Sequence, residues 1–160
     1  MGSGGEDKII SGKLECNLQF VNFWERAVMK RILIADDEET LLLAYKKLLN
    51  EPNVEIDTAQ SVIKARQLIE TKQYSAVIVD LRLDCTKKMD GLAIISLAKT
   101  SFPDSTIIVL TAYADSVIRN EVFKQGATYF LEKPVSALHL RELLESSGIY
   151  SLKAPPVQVL

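Results

Sequence analysis

Two cysteines, one histidine and one tryptophan occur in 160 residues, and these scarcities narrow the field. Cys16 and Cys85 are too few for a disulfide framework and lack a metal-ligand spacing. They read as free thiols in a reducing cytoplasm, Cys85 as a bystander more simply than as a redox sensor. His139 falls in a helical run after Ser136 and reads as an ordinary helix residue, not as a group carrier. No apolar run approaches the ~18–20 residues a membrane span needs. Met1-Gly-Ser-Gly-Gly has neither the basic nor the apolar region of a secretory signal. A net charge of −2 gives no general attraction to nucleic acid or to an anionic membrane, and Lys87-Lys88 is too short for a nucleic-acid patch. Neither nucleic acid nor membrane is an expected partner of this chain.

What is present is a repeated alternation. Ile32–Ala35, Ala76–Val79 and Ile107–Leu110 are unbroken apolar runs, as in strands covered on both faces. Val54–Ala59 alternates apolar and polar residues and suits a half-exposed edge strand. Thr128–Leu131 is the last strand-like run. Between them lie helical patterns. Leu41, Tyr45, Leu48 and Leu49 are expected on one face of the first, with Glu38 and Glu39 at its start and Lys46 and Lys47 near its end. Ser61 and Ser136 are placed to cap two others. Leu92, Ile95 and Ala98 mark a helix over 91–101; Val117, Ile118 and Val122 mark one over 115–124, which Gly126 can end. Strand–helix units repeated over residues 30–146 predict a doubly wound α/β sheet with right-handed crossovers.

Chemistry collects at the strand ends. Asp36 and Asp37 follow the first run, Asp80 the third and Thr111 the fourth; Lys133-Pro134 comes just after the fifth. In an open parallel sheet the crevice beyond the strand C-termini is where ligands bind. Three carboxylates, a hydroxyl and an ammonium can there hold a divalent metal and a phosphoryl group. Asp80, standing alone, is the natural nucleophile. Asp36 and Asp37 suit Mg²⁺, a hard ion that prefers carboxylate and water oxygens. Lys133 offers a point charge to a phosphate oxygen, and the Thr111 hydroxyl a hydrogen bond. Each residue alone has a plain alternative: an acidic pair is often just favourable charge before a helix. The coincidence of all five carries the reading.

These positions, in this order and spacing, resemble the receiver domain of two-component response regulators, over residues 30–146. The resemblance implies a (βα)5 flavodoxin-like three-layer sandwich with a five-stranded parallel sheet of order 2-1-3-4-5. It implies that Asp80 accepts a phosphoryl group from a histidine kinase or phosphotransfer protein. Catalysis would be limited to the domain's own phosphorylation and dephosphorylation. Asp37 would ligate Mg²⁺ directly and Asp36 mainly through water, with Asp80 and the Arg82 backbone carbonyl completing the set. The Lys133–Pro134 peptide would be cis. Thr111 and Phe130 would form the switch, remodelling the surface of helix 115–124, strand 128–131 and helix 135–146 for partner binding or a homodimer.

Three departures stand out. The loop from Asp80 to Gly91 is about three residues longer than usual, with Asp84 where a proline is common, so Cys85-Thr-Lys-Lys88 is expected to bulge beside the pocket. Phe130 stands where tyrosine is frequent, so switching would rest on packing without a hydroxyl. Arg82 and Tyr113 are bulky at positions that control hydrolytic water in the family, which implies a slowly hydrolysing phospho-form.

Two other functions fit parts of the pattern. A haloacid-dehalogenase-like phosphatase also uses an aspartate nucleophile, threonine, lysine and Mg²⁺, but needs a second aspartate where Arg82 stands. A flavodoxin-like electron carrier needs a Ser/Thr/Gly-rich phosphate loop after the first strand, and none is there. The expected organisation is an N-terminal extension or appended remnant over 1–28, a receiver domain over 29–147, and a tail or linker start over 148–160. Leu14, Leu18, Val21 and Trp24 make only a weak helical stripe in the first of these. Pro155-Pro156 forbids helix in the last. A stand-alone regulator and a receiver belonging to a longer protein both remain open.

Overall fold

The computed structural model describes residues 29–83 and 89–150. Five strands, β1 (Lys30–Ala35), β2 (Val54–Ala59), β3 (Ala76–Asp80), β4 (Thr106–Thr111) and β5 (Tyr129–Glu132), alternate with five helices. The helices are α1 (Glu39–Leu48), α2 (Val62–Thr71), α3 (Gly91–Ser101), α4 (Ser116–Lys124) and α5 (Ala137–Ser146). All four strand pairings are parallel and the sheet order is β2-β1-β3-β4-β5. The doubly wound arrangement expected from the alternation is the one observed. The N-terminal stripe with Trp24, both cysteines, the Cys85–Lys88 bulge and the Pro155-Pro156 tail lie outside the described residues.

The apolar runs become the middle of the sheet because both of their faces are covered. β3 and β4 are buried at every position, whereas β2 is buried only at Ile56 and Ala59. One side chain in two points to each face, so the sheet carries two cores. Leu33, Val77, Val79, Ile107 and Val109 pack against α2, α3 and α4 through Ala65, Ile69, Ile94, Ile95, Ala98 and Val122. Ile32, Ile34, Ile78, Ile108 and Leu110 pack on the other side with α1 and α5 through Leu42, Tyr45, Leu49, Leu140 and Leu144.

Two helical faces differ from expectation. In α1 the buried residues are Leu42 and Tyr45, joined by Leu49 just past its end, while Leu48 is exposed and Leu41 only partly covered. In α4 Val122 is buried and Ile118 partly so, but Val117 is 76% exposed. One residue along a helix turns the side chain by about 100°, which carries Leu48 and Val117 away from the sheet although Leu49 and Ile118 beside them face it. The caps are as read: Ser61 Oγ accepts from the Lys64 amide at 3.2 Å and Ser136 Oγ from the His139 amide at 3.1 Å. Asp115 caps α4 likewise, accepting from Ile118 N at 2.7 Å. Gly126, at φ 103°, closes α4 with bonds from its own amide to Phe123 O and from Ala127 N to Val122 O.

Packing continues past the expected boundary at residue 147. Gly148, at φ 69°, turns the chain back, and Ile149 and Tyr150 are buried against the α1/α5 core. The Tyr150 hydroxyl donates to Leu49 O at 2.8 Å, and Arg141 lies 5.3 Å from the Tyr150 ring centroid while pairing with Glu51. The folded unit therefore includes these last three described residues.

Candidate functional site

Register explains why the site residues meet. Ala35 pairs with Val79, so Asp36 and Asp80 leave adjacent strands at one level. Asp80 pairs with Leu110, Leu110 with Leu131 and Thr111 with Glu132, which sets Thr111 one step and Lys133 two steps beyond the level of Asp80. Residues 97 apart in the chain thus converge: Lys133 Nζ is 2.6 Å from Asp36 Oδ2.

The same ammonium is 2.5 Å from Asp80 Oδ2. Asp80 Oδ1 accepts from the Arg82 amide at 3.0 Å, so both carboxylate oxygens are held. Asp36 is 1% exposed, and its Oδ1 accepts from Glu38 N at 2.9 Å. Asp37 is exposed at the rim. Oxygens of Asp36, Asp37 and Asp80 lie within 4.8 Å of one another. Three hard anionic donors converging at that separation fit a hard divalent cation such as Mg²⁺ or Ca²⁺ far better than a soft one.

Thr111 is buried, and its hydroxyl is turned to its own loop. Oγ1 donates to Tyr113 O at 3.0 Å and accepts from Tyr113 N at 3.1 Å. The Lys133 amide donates to Thr111 O at 2.7 Å, and the Lys133–Pro134 peptide is cis. Phe130 is partly buried, 6.5 Å from Phe123 between ring centroids, and the Arg119 guanidinium lies 5.8 Å from its centroid. Across the mouth, the Arg82 guanidinium stacks on Tyr113 at 4.4 Å, tying the β3–α3 loop to the β4–α4 loop. His139 lies on the exposed side of α5, 3.6 Å from Glu142, and takes no part in this cluster.

Electrostatics favour a charged lysine. Burial works against the Lys133 ammonium, but hydrogen bonds and charge from Asp36 and Asp80 outweigh it and hold its pKa above the usual lysine value. One cation set between two carboxylates, with a third nearby, leaves the pocket net negative, which is what a divalent metal needs.

Gly91 also shapes the site, although the sequence offered only its place at a helix start. A Cβ there would lie 2.5 Å from Asp80 O and 2.8 Å from Leu81 Cα. Its amide donates to Leu81 O at 3.1 Å, so α3 begins in direct contact with the strand end that carries Asp80. A lone glycine before an apolar helix gives no sequence sign of this.

Sheet order, strand-end acids and the Lys–cis-Pro turn define a phosphoacceptor switch of the flavodoxin-like class. Comparison with known proteins gives the family. The response regulator receiver domain pattern matches residues 32–145, and the chain belongs to that family: it is a receiver domain of two-component response regulators. It is 30% identical over 133 residues to the photosynthetic apparatus regulatory protein RegA of Cereibacter sphaeroides, covering 83% of this chain and 70% of that one. Among solved structures it is similar to a CheY-like receiver domain protein from Methanospirillum hungatei, with a TM-score of 0.67 and 26% identity over 74% of this chain and 92% of that one. It is also similar to the beryllofluoride-activated NtrC4 receiver domain dimer, with a TM-score of 0.64 and 28% identity over 74% of this chain and 96% of that one. The haloacid-dehalogenase-like alternative finds no support among these relatives. No helix among the described residues is long and apolar enough to cross a membrane.

Proposed function

We propose that Asp80 is the phosphoryl acceptor of this receiver, working with Mg²⁺ held by Asp36, Asp37, Asp80 and the Arg82 carbonyl. The observation that carries the reading is the bridge from Lys133 to Asp36 and Asp80 over oxygens clustered within 4.8 Å. When bound, the metal screens the repulsion between the carboxylate and an anionic phosphodonor.

The chain's own residues do the rest. An oxygen of Asp80 attacks phosphorus in line, the bond to the donor's leaving group breaks with its electron pair, and an acyl phosphate results. Lys133 gives up its contact with Asp80 Oδ2 and follows the charge onto a phosphoryl oxygen. The Thr111 hydroxyl exchanges Tyr113 O for another phosphoryl oxygen, drawing its loop inward. Phe130 then fills the vacated space, and the face formed by α4, β5 and α5 changes shape. That face, with Arg119, Phe123 and Phe130 on it, is the proposed surface for a downstream partner or a homodimer.

A histidine kinase or phosphotransfer protein is the proposed donor, and the cytoplasm the proposed location. Catalysis is confined to the domain's own phosphorylation and dephosphorylation. The test is intact mass after incubation with Mg²⁺ and acetyl phosphate. A single phosphoryl adduct lost in Asp80→Asn is expected. An adduct that persists in that variant would place the acceptor elsewhere.

A further inference from the structure

Tyr45 belongs to the α1/α5 core and is 5% exposed, yet its hydroxyl reaches beyond that core. Oη donates to Val135 O at 3.0 Å, across 90 residues of chain. Val135 lies two residues after Lys133, on the loop that leads from β5 into α5. Pro134 between them has no amide hydrogen with which to fix that loop. The Val135 side chain packs partly buried on the α1/α5 core, but the hydrogen bonds that anchor the loop backbone are few. The Lys133 amide is held by Thr111 O at one end, and Ser136 caps α5 at the other. The tyrosine hydroxyl holds the stretch between them.

A phenylalanine would fill the same volume, so packing does not account for the hydroxyl. A buried phenol needs a partner, and this one finds it on the segment that carries the ammonium of the acidic site. Burial, then Asp36 and Glu38, raise the Tyr45 pKa while the Lys133 charge lowers it. The phenol thus stands close enough to feel Lys133 and Asp36.

Resting on the reading of Asp80 as acceptor, we infer that Tyr45 is a positioning residue for phosphoryl transfer. Through Val135 it holds the loop that presents Lys133 to the Asp80 carboxylate. Sub-ångström placement of a charged group governs how well it meets charge as it develops, and a lysine side chain on an untethered loop samples many positions.

The experiment follows phosphorylation by acetyl phosphate across a Mg²⁺ titration up to saturation, by intact mass, on the full chain. Tyr45→Phe is expected to slow the maximal rate about tenfold while leaving half-saturation by Mg²⁺ unchanged. Tyr45→4-aminophenylalanine, which restores a donor at the same place, is expected to recover most of the rate. The decisive comparison repeats Tyr45→Phe in a Lys133→Ala background, where its effect should shrink to within about twofold. An equal slowing with and without Lys133 would show a general structural role and overturn the inference. So would an unaltered rate in Tyr45→Phe. If Tyr45→Phe fails to melt cooperatively, Tyr45→4-methylphenylalanine fills the space without a donor and faces the same criteria. Should the unmodified protein take no phosphoryl group at Asp80, the acceptor reading and this inference fall together. Normal phosphorylation that is indifferent to Tyr45→Phe removes the inference alone.

Discussion

Lys133 Nζ stands 2.5 Å from Asp80 Oδ2, and the same ammonium reaches Asp36 Oδ2 at 2.6 Å. A clustered acidic site without such a bridge would weaken the fold through repulsion of like charges. Here one cation compensates much of it before any metal binds. The sequence alone suggests that Asp80→Asn raises the melting temperature in metal-free buffer. With the bridge present, that variant loses an ion pair together with a charge, so its net effect is small, within about 1 kcal/mol.

Lys133→Met should show the compensation directly. Removing one partner of a largely buried pair leaves the others exposed to each other and costs about 2–3 kcal/mol. The loss should be greatest in metal-free buffer, and millimolar Mg²⁺ should raise the melting temperature of Lys133→Met more than that of the unmodified protein. Equal Mg²⁺ shifts in the two proteins would count against a cation-compensated metal site.

The Arg82–Tyr113 stack, at 4.4 Å, joins the loops that follow Asp80 and Thr111, and an exposed cation–π contact of this kind contributes about 0.5–1 kcal/mol. If it limits access of water to the acyl phosphate, the phospho-form persists well beyond seconds. Tyr113→Ala should then shorten its lifetime about fivefold, by opening the site to solvent. Decay followed by intact mass after removal of donor tests this; identical decay in both proteins would rule out the cover.

Gly91→Ala should damage the site through the backbone. Its Cβ would meet Asp80 O at 2.5 Å, and the obstacle is main chain, which cannot rotate aside. A destabilisation of about 1–3 kcal/mol is expected, together with slower phosphorylation at Asp80. Urea unfolding and the acetyl phosphate assay read the two effects separately. Full stability in Gly91→Ala would mean that α3 shifts freely against β3.

Asp57, at the sheet edge, makes stability depend on acid. Burial alone would raise its pKa. Hydrogen bonds from Lys72 at 2.7 Å and Tyr74 at 2.8 Å, with the charges of Lys72 and Arg31, outweigh burial and hold it below the ordinary carboxyl value. A depressed folded pKa gives stability that is present above the unfolded value of about 3.9 and lost as pH falls through the folded value. Asp57→Asn should therefore cost about 1–2 kcal/mol at pH 7, and the difference should narrow below about pH 4. Denaturant melts from pH 7 to about pH 2 measure it; a constant gap would mean Asp57 acts by shape alone.

The fold was legible because its signals are local and redundant. Unbroken apolar runs read as strands covered on both sides, the alternating Val54–Ala59 as an edge, and Ser61 and Ser136 as caps, all as observed. Leu48 and Val117 lie off the core faces that their spacing predicts, because a leucine or valine beside a core position looks the same in sequence as one upon it. Nothing in the sequence marks Ile149 and Tyr150 as core, because two apolar residues after Gly148 carry no periodicity; only their packing on the α1/α5 core buries them.

For the site, the sequence determined which chemical groups stand at which strand ends, since strand length and polarity fix that locally. It could not determine what those groups do to one another. Tertiary structure decided that Lys133 bridges Asp36 and Asp80, that the Thr111 hydroxyl turns to Tyr113, that Arg82 stacks on Tyr113 and that Tyr45 holds Val135. Each of these depends on parallel register and helix placement between segments up to 97 residues apart. Distances of a few ångströms across such separations are set by the packing of the whole sheet, and no local pattern encodes them.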